Sequence, residues 1–148
     1  MIEVQKKNKI NIFSLTFFKL FLSGIVSIVL FTFIYNLLLN PYSENSQNMT
    51  VISLSMFAVL RSIFVIPIIE EIVFRLGIQN LFKRLSNSNL VAVLFTSLIF
   101  AYVHNDTIFL PYFFNSLVYG MLYIKSGHSV KMPILLHMTN NLLSFLVS

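Results

Sequence analysis

Cysteine is missing from the 148 residues, and charge is scarce: Lys, Arg, Asp and Glu together make up 10% of the chain, against about a quarter in ordinary soluble domains. The first shortage excludes disulfides, thiolate nucleophiles and cysteine-ligated metal centres. The second excludes an ordinary water-facing surface, because a hydrophobic content of 57% does not fit inside the small core that a domain of this size encloses. Mean hydropathy is +0.83. Lipid is the solvent that remains, and in lipid a helix satisfies its own backbone groups. The expectation is an all-α, polytopic membrane bundle of about five transmembrane helices, with no soluble appendage. The net charge of +5 does not point to nucleic acid, because the basic residues punctuate apolar runs rather than line one face.

Five apolar runs carry that expectation. They cover Leu20 to Leu39, Val51 through Pro67 to about Leu81, Leu90 to His104, Ile108 to Ile124, and Met132 to Val147. A span needs about 17–25 residues; the third and fifth are short and ask for a thinned bilayer or a turn borrowed from their flanks. Lys6, Lys7 and Lys9 precede the first run, which is too long for a signal h-region and reads as a retained helix. The connection with Glu44 has no Lys or Arg. Lys83 and Arg84 then fall in a turn-like break from Lys83 to Asn89, Asn105 and Asp106 follow the third run, and Lys125 and Lys131 bracket the last turn. Basic and non-basic connections alternate, which sets the N-terminus in the cytoplasm. The domain reading is a cytoplasmic tail over residues 1–11 and a membrane domain over 12–148, whose core is at about 51–148.

Against this background, ionisable residues inside the runs stand out. A charge near the bilayer centre costs about 2.5–3.5 kcal/mol on insertion scales and faces a bundle interior or a watery cavity. Glu70 and Glu71 are adjacent, about 100° apart around a helix, and so face different tasks. Glu71 and Arg75 share a face in the favourable acid-before-base order, which reads as a structural ion pair. Glu70 has no cation on its own helix and suits a general base. His104 ends the third run with Phe100 on its face; alone, these are an interfacial histidine and ordinary packing. His137 and Asn141, four apart, both donate hydrogen bonds and suit an oxygen that acquires charge. Their ordinary alternative is helix–helix bonding, the role that fits Asn36, Asn115 and Asn140. At 1.5 Å per residue, Glu70 stands about 20 Å, His104 about 22 Å, Asn141 about 15 Å and His137 about 9 Å from the cytoplasmic boundary. Three helices therefore bring polar groups to overlapping depths. Arg61 reads as an internal partner or an interfacial charge, His128 as a solvated turn residue, and the Phe-rich first helix as lipid-facing bulk.

The three elements in this order resemble the CAAX protease and bacteriocin-processing (CPBP, or Abi) family of intramembrane peptidases. Its Glu-Glu-x-x-x-Arg, Phe-x-x-x-His and His-x-x-x-Asn motifs stand at Glu70 to Arg75, Phe100 to His104 and His137 to Asn141. The stretch from Gly120 to Asn141 is also similar to the family's approach to its last motif. Leu76 departs from it, standing where the family has Gly, which bears on local packing. The resemblance implies an intramembrane endopeptidase in which Glu70 and His104 activate water, His137 and Asn141 stabilise the oxyanion, and Glu71, Arg75 and Phe100 support them. It implies a membrane-associated peptide or protein as substrate and a prokaryotic cell membrane as location. No cofactor is expected to be required; if zinc is bound, its ligands are Glu70, His104 and His137, although no His-Glu-x-x-His helix is present. Two other readings compete: a bacteriocin-immunity or partner-binding protein with dispensable catalysis, and an ion or proton relay through the same residues.

Overall fold

The computed structural model describes residues 14–39, 56–104 and 109–147. The N-terminal tail with its three lysines, the connection carrying Pro41 and Glu44, the start of the second run, and Asn105 with Asp106 lie outside the described residues.

The first helix, α1, runs Leu15–Leu39. It begins earlier than Leu20 because Ser14 caps it, accepting the Phe17 N–H on its hydroxyl at 3.1 Å as an N-cap residue does. Lys19 thus sits within the helix. Ser23 and Ser27 return their hydroxyls to carbonyls of their own helix, Leu20 O and Ser23 O, so they need no partner elsewhere. At 25 residues α1 is long and apolar enough to cross a membrane, and it alone among the described helices meets both criteria.

Residues 56–86 form one helical rod, α2, in which α-helical segments Met56–Leu60, Ile66–Glu71 and Asn80–Ser86 alternate with π-helical segments Arg61–Val65 and Ile72–Gln79. The helix runs through Lys83 and Arg84, correcting the break expected at Lys83. Both are good helix formers, and the stop falls instead at Asn87, whose left-handed conformation (φ 52°) ends helices as Asn and Gly do. Ser88 then caps α3, Asn89–His104, through the Val91 and Ala92 N–H groups. Helices α4, Phe109–Lys125, and α5, Lys131–Val147, are joined by a turn with Gly127 at φ 75° and His128 at φ 63°.

The layering is inverted relative to a water-soluble protein. Glu71, Arg75, Thr96, Ser97 and Ser116 are completely buried, while Leu22, Leu30, Phe33, Leu37, Leu90 and Leu98 face outward. An apolar cluster of Phe17, Ile28, Tyr119, Leu122, Met132 and Leu136 seats α1 against α4 and α5. Phe17 in that cluster, and Phe31 stacked on Phe114 at 4.0 Å, depart from the expected all-lipid role of the aromatic first helix; Phe18 and Phe33 keep it. His128 is half-buried against the Tyr123 ring rather than solvated. Arg61 is exposed and makes no ion pair among the described residues, which leaves its interfacial reading. Leu76 points outward, so its departure from the family's Gly presses on no neighbour.

Close approach of α1 depends on Gly24. A Cβ there would stand 2.6 Å from Leu122 Cδ1 and 2.7 Å from Leu136 Cδ2. Gly24→Val should destabilise the bundle by about 1–3 kcal/mol, the usual cost of overpacking, read as a lowered melting temperature in detergent; an unchanged transition would mean that α1 does not pack there.

Candidate active site

The site is built around α2. Where its hydrogen-bonding register shifts from α to π after Glu71, side chains on successive turns are re-aimed, a use to which π segments are often put at functional sites. Glu71, Arg75 and Gln79 follow one another at intervals of four on the inward face. Arg75 directs its guanidinium three ways: Nε donates to Glu71 Oε2 at 2.7 Å, Nη1 to Gln79 Oε1 at 2.9 Å, and Nη2 to Ser116 Oγ of α4 at 2.9 Å. Gln79 in turn donates from Nε2 to Gly120 O at 3.2 Å. Both members of the Glu71–Arg75 pair are fully buried. A buried pair is tolerable only where its remaining hydrogen-bonding capacity is met, and here the guanidinium fork is used on every side. Gly120 permits the approach: a Cβ would lie 2.9 Å from Gln79 Oε1 and 3.1 Å from Arg75 Nη1.

The second Glu71 oxygen, Oε1, lies 3.1 Å from His137 Nδ1 on α5. A carboxylate facing Arg75 accepts, so His137 carries its proton on Nδ1 and turns Nε2 toward Glu70 Oε2, 3.6 Å away. His104 is oriented in the same way. Its Nδ1 stands 2.7 Å from Phe100 O, and a carbonyl only accepts, so Nε2 is left facing Glu70 Oε1 at 3.8 Å. These bonds select both tautomers. Two imidazole Nε2 atoms from separate helices thus converge on one carboxylate. Glu70 keeps 24% of its side chain exposed, His104 20% and His137 8%.

Aromatic rings hold the imidazoles in place. Phe100, buried, lies 4.3 Å from the His104 ring and meets Phe74 edge-on at 4.8 Å. Tyr112 stacks on the other side of His104 at 4.4 Å, and Tyr119 stacks on His137 at 4.9 Å. The Tyr119 hydroxyl is buried beside the Asn140 amide. Asn115 Oδ1 is buried without a partner, so that oxygen does not serve the helix-bonding role expected of it. Asn141 donates from Nδ2 to Ser62 O, 3.0 Å away on α2. Beside it, Asn140 lines a groove of about 370 Å³ between α1 and α5 with Thr32, Asn36 and Ser144 among apolar residues.

Residues 51–143 match the family model described as type II CAAX prenyl endopeptidase Rce1-like. The chain belongs to the Rce1-like CAAX protease (CPBP) family. The matched region contains all three motifs. The chain is also 35% identical over 81 residues to the membrane-embedded CAAX protease MroQ of Staphylococcus aureus (strain USA300), an alignment covering 51% of this chain and 32% of MroQ. It therefore spans about a third of the length of the curated relative it matches. No solved structure matches. Among the described residues, no three His, Asp or Glu side chains form a group spaced to hold a metal ion.

Within this Rce1-like chain, the structure brings together Glu70, Glu71, Arg75, Phe100, His104 and His137, and places Asn141 on the His137 helix against α2. Sequence reasoning missed Gln79, Ser116 and Tyr119. Gln79 had a signal, since it continues the Glu71–Arg75 spacing of four; Ser116 and Tyr119 had none, because only packing of α4 against α2 and α5 gives them their roles.

Arg75→Met would leave Glu71 as an uncompensated buried charge and should lower stability by about 3–5 kcal/mol. Arg75→Lys should fail to restore it, because an ammonium cannot reach three partners in one plane. Denaturation in detergent measures both, and full recovery in the lysine variant would refute the three-way role.

Proposed function

We propose that this protein is an intramembrane endopeptidase that hydrolyses an amide bond in a membrane-associated peptide or protein. The observation that carries the reading is the convergence of His104 Nε2 and His137 Nε2 on the Glu70 carboxylate, 3.8 and 3.6 Å away. Those separations exceed a direct hydrogen bond and suit a shared water oxygen. In the proposed reaction Glu70, assisted by His104, takes a proton from water as its oxygen attacks the scissile carbonyl; when the tetrahedral intermediate collapses, the C–N bond breaks and Glu70 returns that proton to the leaving amine. His137, whose Nδ1–H is held by Glu71 and which needs a second proton on Nε2 for this role, and Asn141 donate to the oxygen that becomes charged. Glu71 and Arg75 fix the tautomer and direction of His137. General-base assistance is worth about 10²–10⁴-fold, and each oxyanion donor about 10²–10³-fold.

The chain is proposed to lie in a prokaryotic cell membrane as a five-span bundle with its N-terminus in the cytoplasm, residues 1–11 as a tail, and the catalytic core from about 51 onward. Support comes from the inverted layering, from the apolar length of α1, and from a relative that is named as membrane-embedded. The reaction is proposed to need no metal. The donor types nevertheless suit zinc: Glu70, His104 and His137 would hold it, and the Nδ1 contacts to Phe100 O and Glu71 are of the kind that orient metal-bound imidazoles. Bound zinc would supply Lewis-acid polarisation of the water or carbonyl.

Glu70→Ala should abolish turnover, while Asn141→Ala should retain a residue of it, reduced by about 10²–10³-fold. Comparing secreted and membrane-bound peptides from cells carrying wild-type or Glu70→Ala protein reads the loss and reveals the substrate. Equal peptide profiles would remove the peptidase reading. If bacteriocin protection survived Glu70→Ala, a partner-binding role would take its place. Metal content of the purified protein, with cleavage measured in the presence and absence of a chelator, decides the zinc question.

A further inference from the structure

Pro67 lies three residues before Glu70 and is fully buried, with no contact to substrate assigned to it. Its position relative to the π segment gives it a consequence. At the end of Arg61–Val65 the Ile66 N–H donates to Arg61 O, five residues back. Continued by one residue, that register would bring the N–H of residue 67 to Ser62 O. Proline has no N–H. Since Ile66 has already donated to Arg61, Ser62 O is left without its helical donor. The replacement is Asn141 Nδ2, 3.0 Å away across the helix interface.

We infer that Pro67 is a positioning residue for the oxyanion site: by withholding its N–H it frees the Ser62 carbonyl, which captures one Asn141 N–H and thereby aims the other. This rests on the assignment of Asn141 as an oxyanion donor. An untethered amide rotates about its side-chain torsions, whereas one held at a fixed carbonyl presents its second N–H in a set direction. Misplacing a catalytic group by about 1 Å is enough to cost about 10²-fold in rate. The π segment, the proline and the asparagine form a single device, in which a gap in one helix's hydrogen bonding sets a side chain of another.

Two measurements on Pro67→Ala test it. The first is stability in detergent of wild type, Pro67→Ala, Asn141→Ala and the double variant. Alanine at this position restores the N–H. Asn141→Ala should therefore lower the melting temperature of the wild-type protein and leave that of Pro67→Ala unchanged. The packing cost of losing the proline ring is common to both proteins of the second comparison and cancels. Equal shifts in the two backgrounds would overturn the inference, with or without peptidase activity. The second is cleavage of a substrate identified by the peptide comparison. Pro67→Ala should lower kcat by up to about 10²-fold with KM unchanged, and adding Asn141→Ala should cost less than it does alone. Wild-type kcat in Pro67→Ala would overturn the positioning role. A wild-type protein that cleaves nothing, combined with coupled stabilities, would remove the peptidase reading while retaining the tether.

Discussion

The buried pair of Glu71 and Arg75 is the constraint on which the rest of the arrangement depends. Neither charge reaches solvent, so each must find its counterpart and all its hydrogen bonds inside the bundle. That requirement draws Gln79 along the same helix, Ser116 and the Gly120 carbonyl from α4, and His137 from α5. Three helices are thereby registered against one another by directional bonds. Apolar packing alone would leave them freer to slide, because in lipid the contact between greasy faces offers little preference over contact with lipid tails. The geometry of the site and the stability of the fold share this network: the oxygen of Glu71 that does not face Arg75 is the one that orients His137.

Backbone irregularity supplies the second layer of control. A uniform α-helix through residues 56–86 would space Ser62, Glu70, Glu71 and Arg75 by a fixed rotation per residue. The two π segments break that progression on either side of the paired glutamates, and Pro67 lies between them. Within the α-helical segment between them, the ordinary rotation of about 100° per residue directs one glutamate into the network and its neighbour toward the two imidazoles. Adjacent carboxylates acquire separate surroundings: Glu71 is sealed and paired, and Glu70 is partly open and faced by Nε2 atoms.

Much of this was legible in the chain. The helical class, the positions of the third, fourth and fifth helices to within a residue or two, and the pairing of Glu71 with Arg75 follow from hydropathy and a spacing of four. The grouping of Glu70, His104 and His137 was foreshadowed by their depths along separate helices. What escaped notice depended on tertiary contact or on local backbone. Ser116 is an ordinary serine until α4 packs beside Arg75. Tyr119 resembles any core aromatic until His137 lies on its ring. The π segments leave no trace in composition, so the link from Pro67 through Ser62 to Asn141 was invisible. The end of α2 was misplaced because Lys83 and Arg84 were read as a break, whereas the left-handed turn needed only Asn87.

The inverted layering divides the molecule into two nearly independent shells. Glu71, Arg75, Gln79 and Ser116 bond to one another, to His137 and to Gly120 O, whereas Leu22, Leu30, Leu37, Leu90 and Leu98 point away from them. The outer shell is accordingly a matter of solvent compatibility and the inner one a matter of specificity. Polar residues grafted onto the outer positions alone would turn the bundle toward water while the interior bonds kept their partners, giving a route to a detergent-free form of the same polar core.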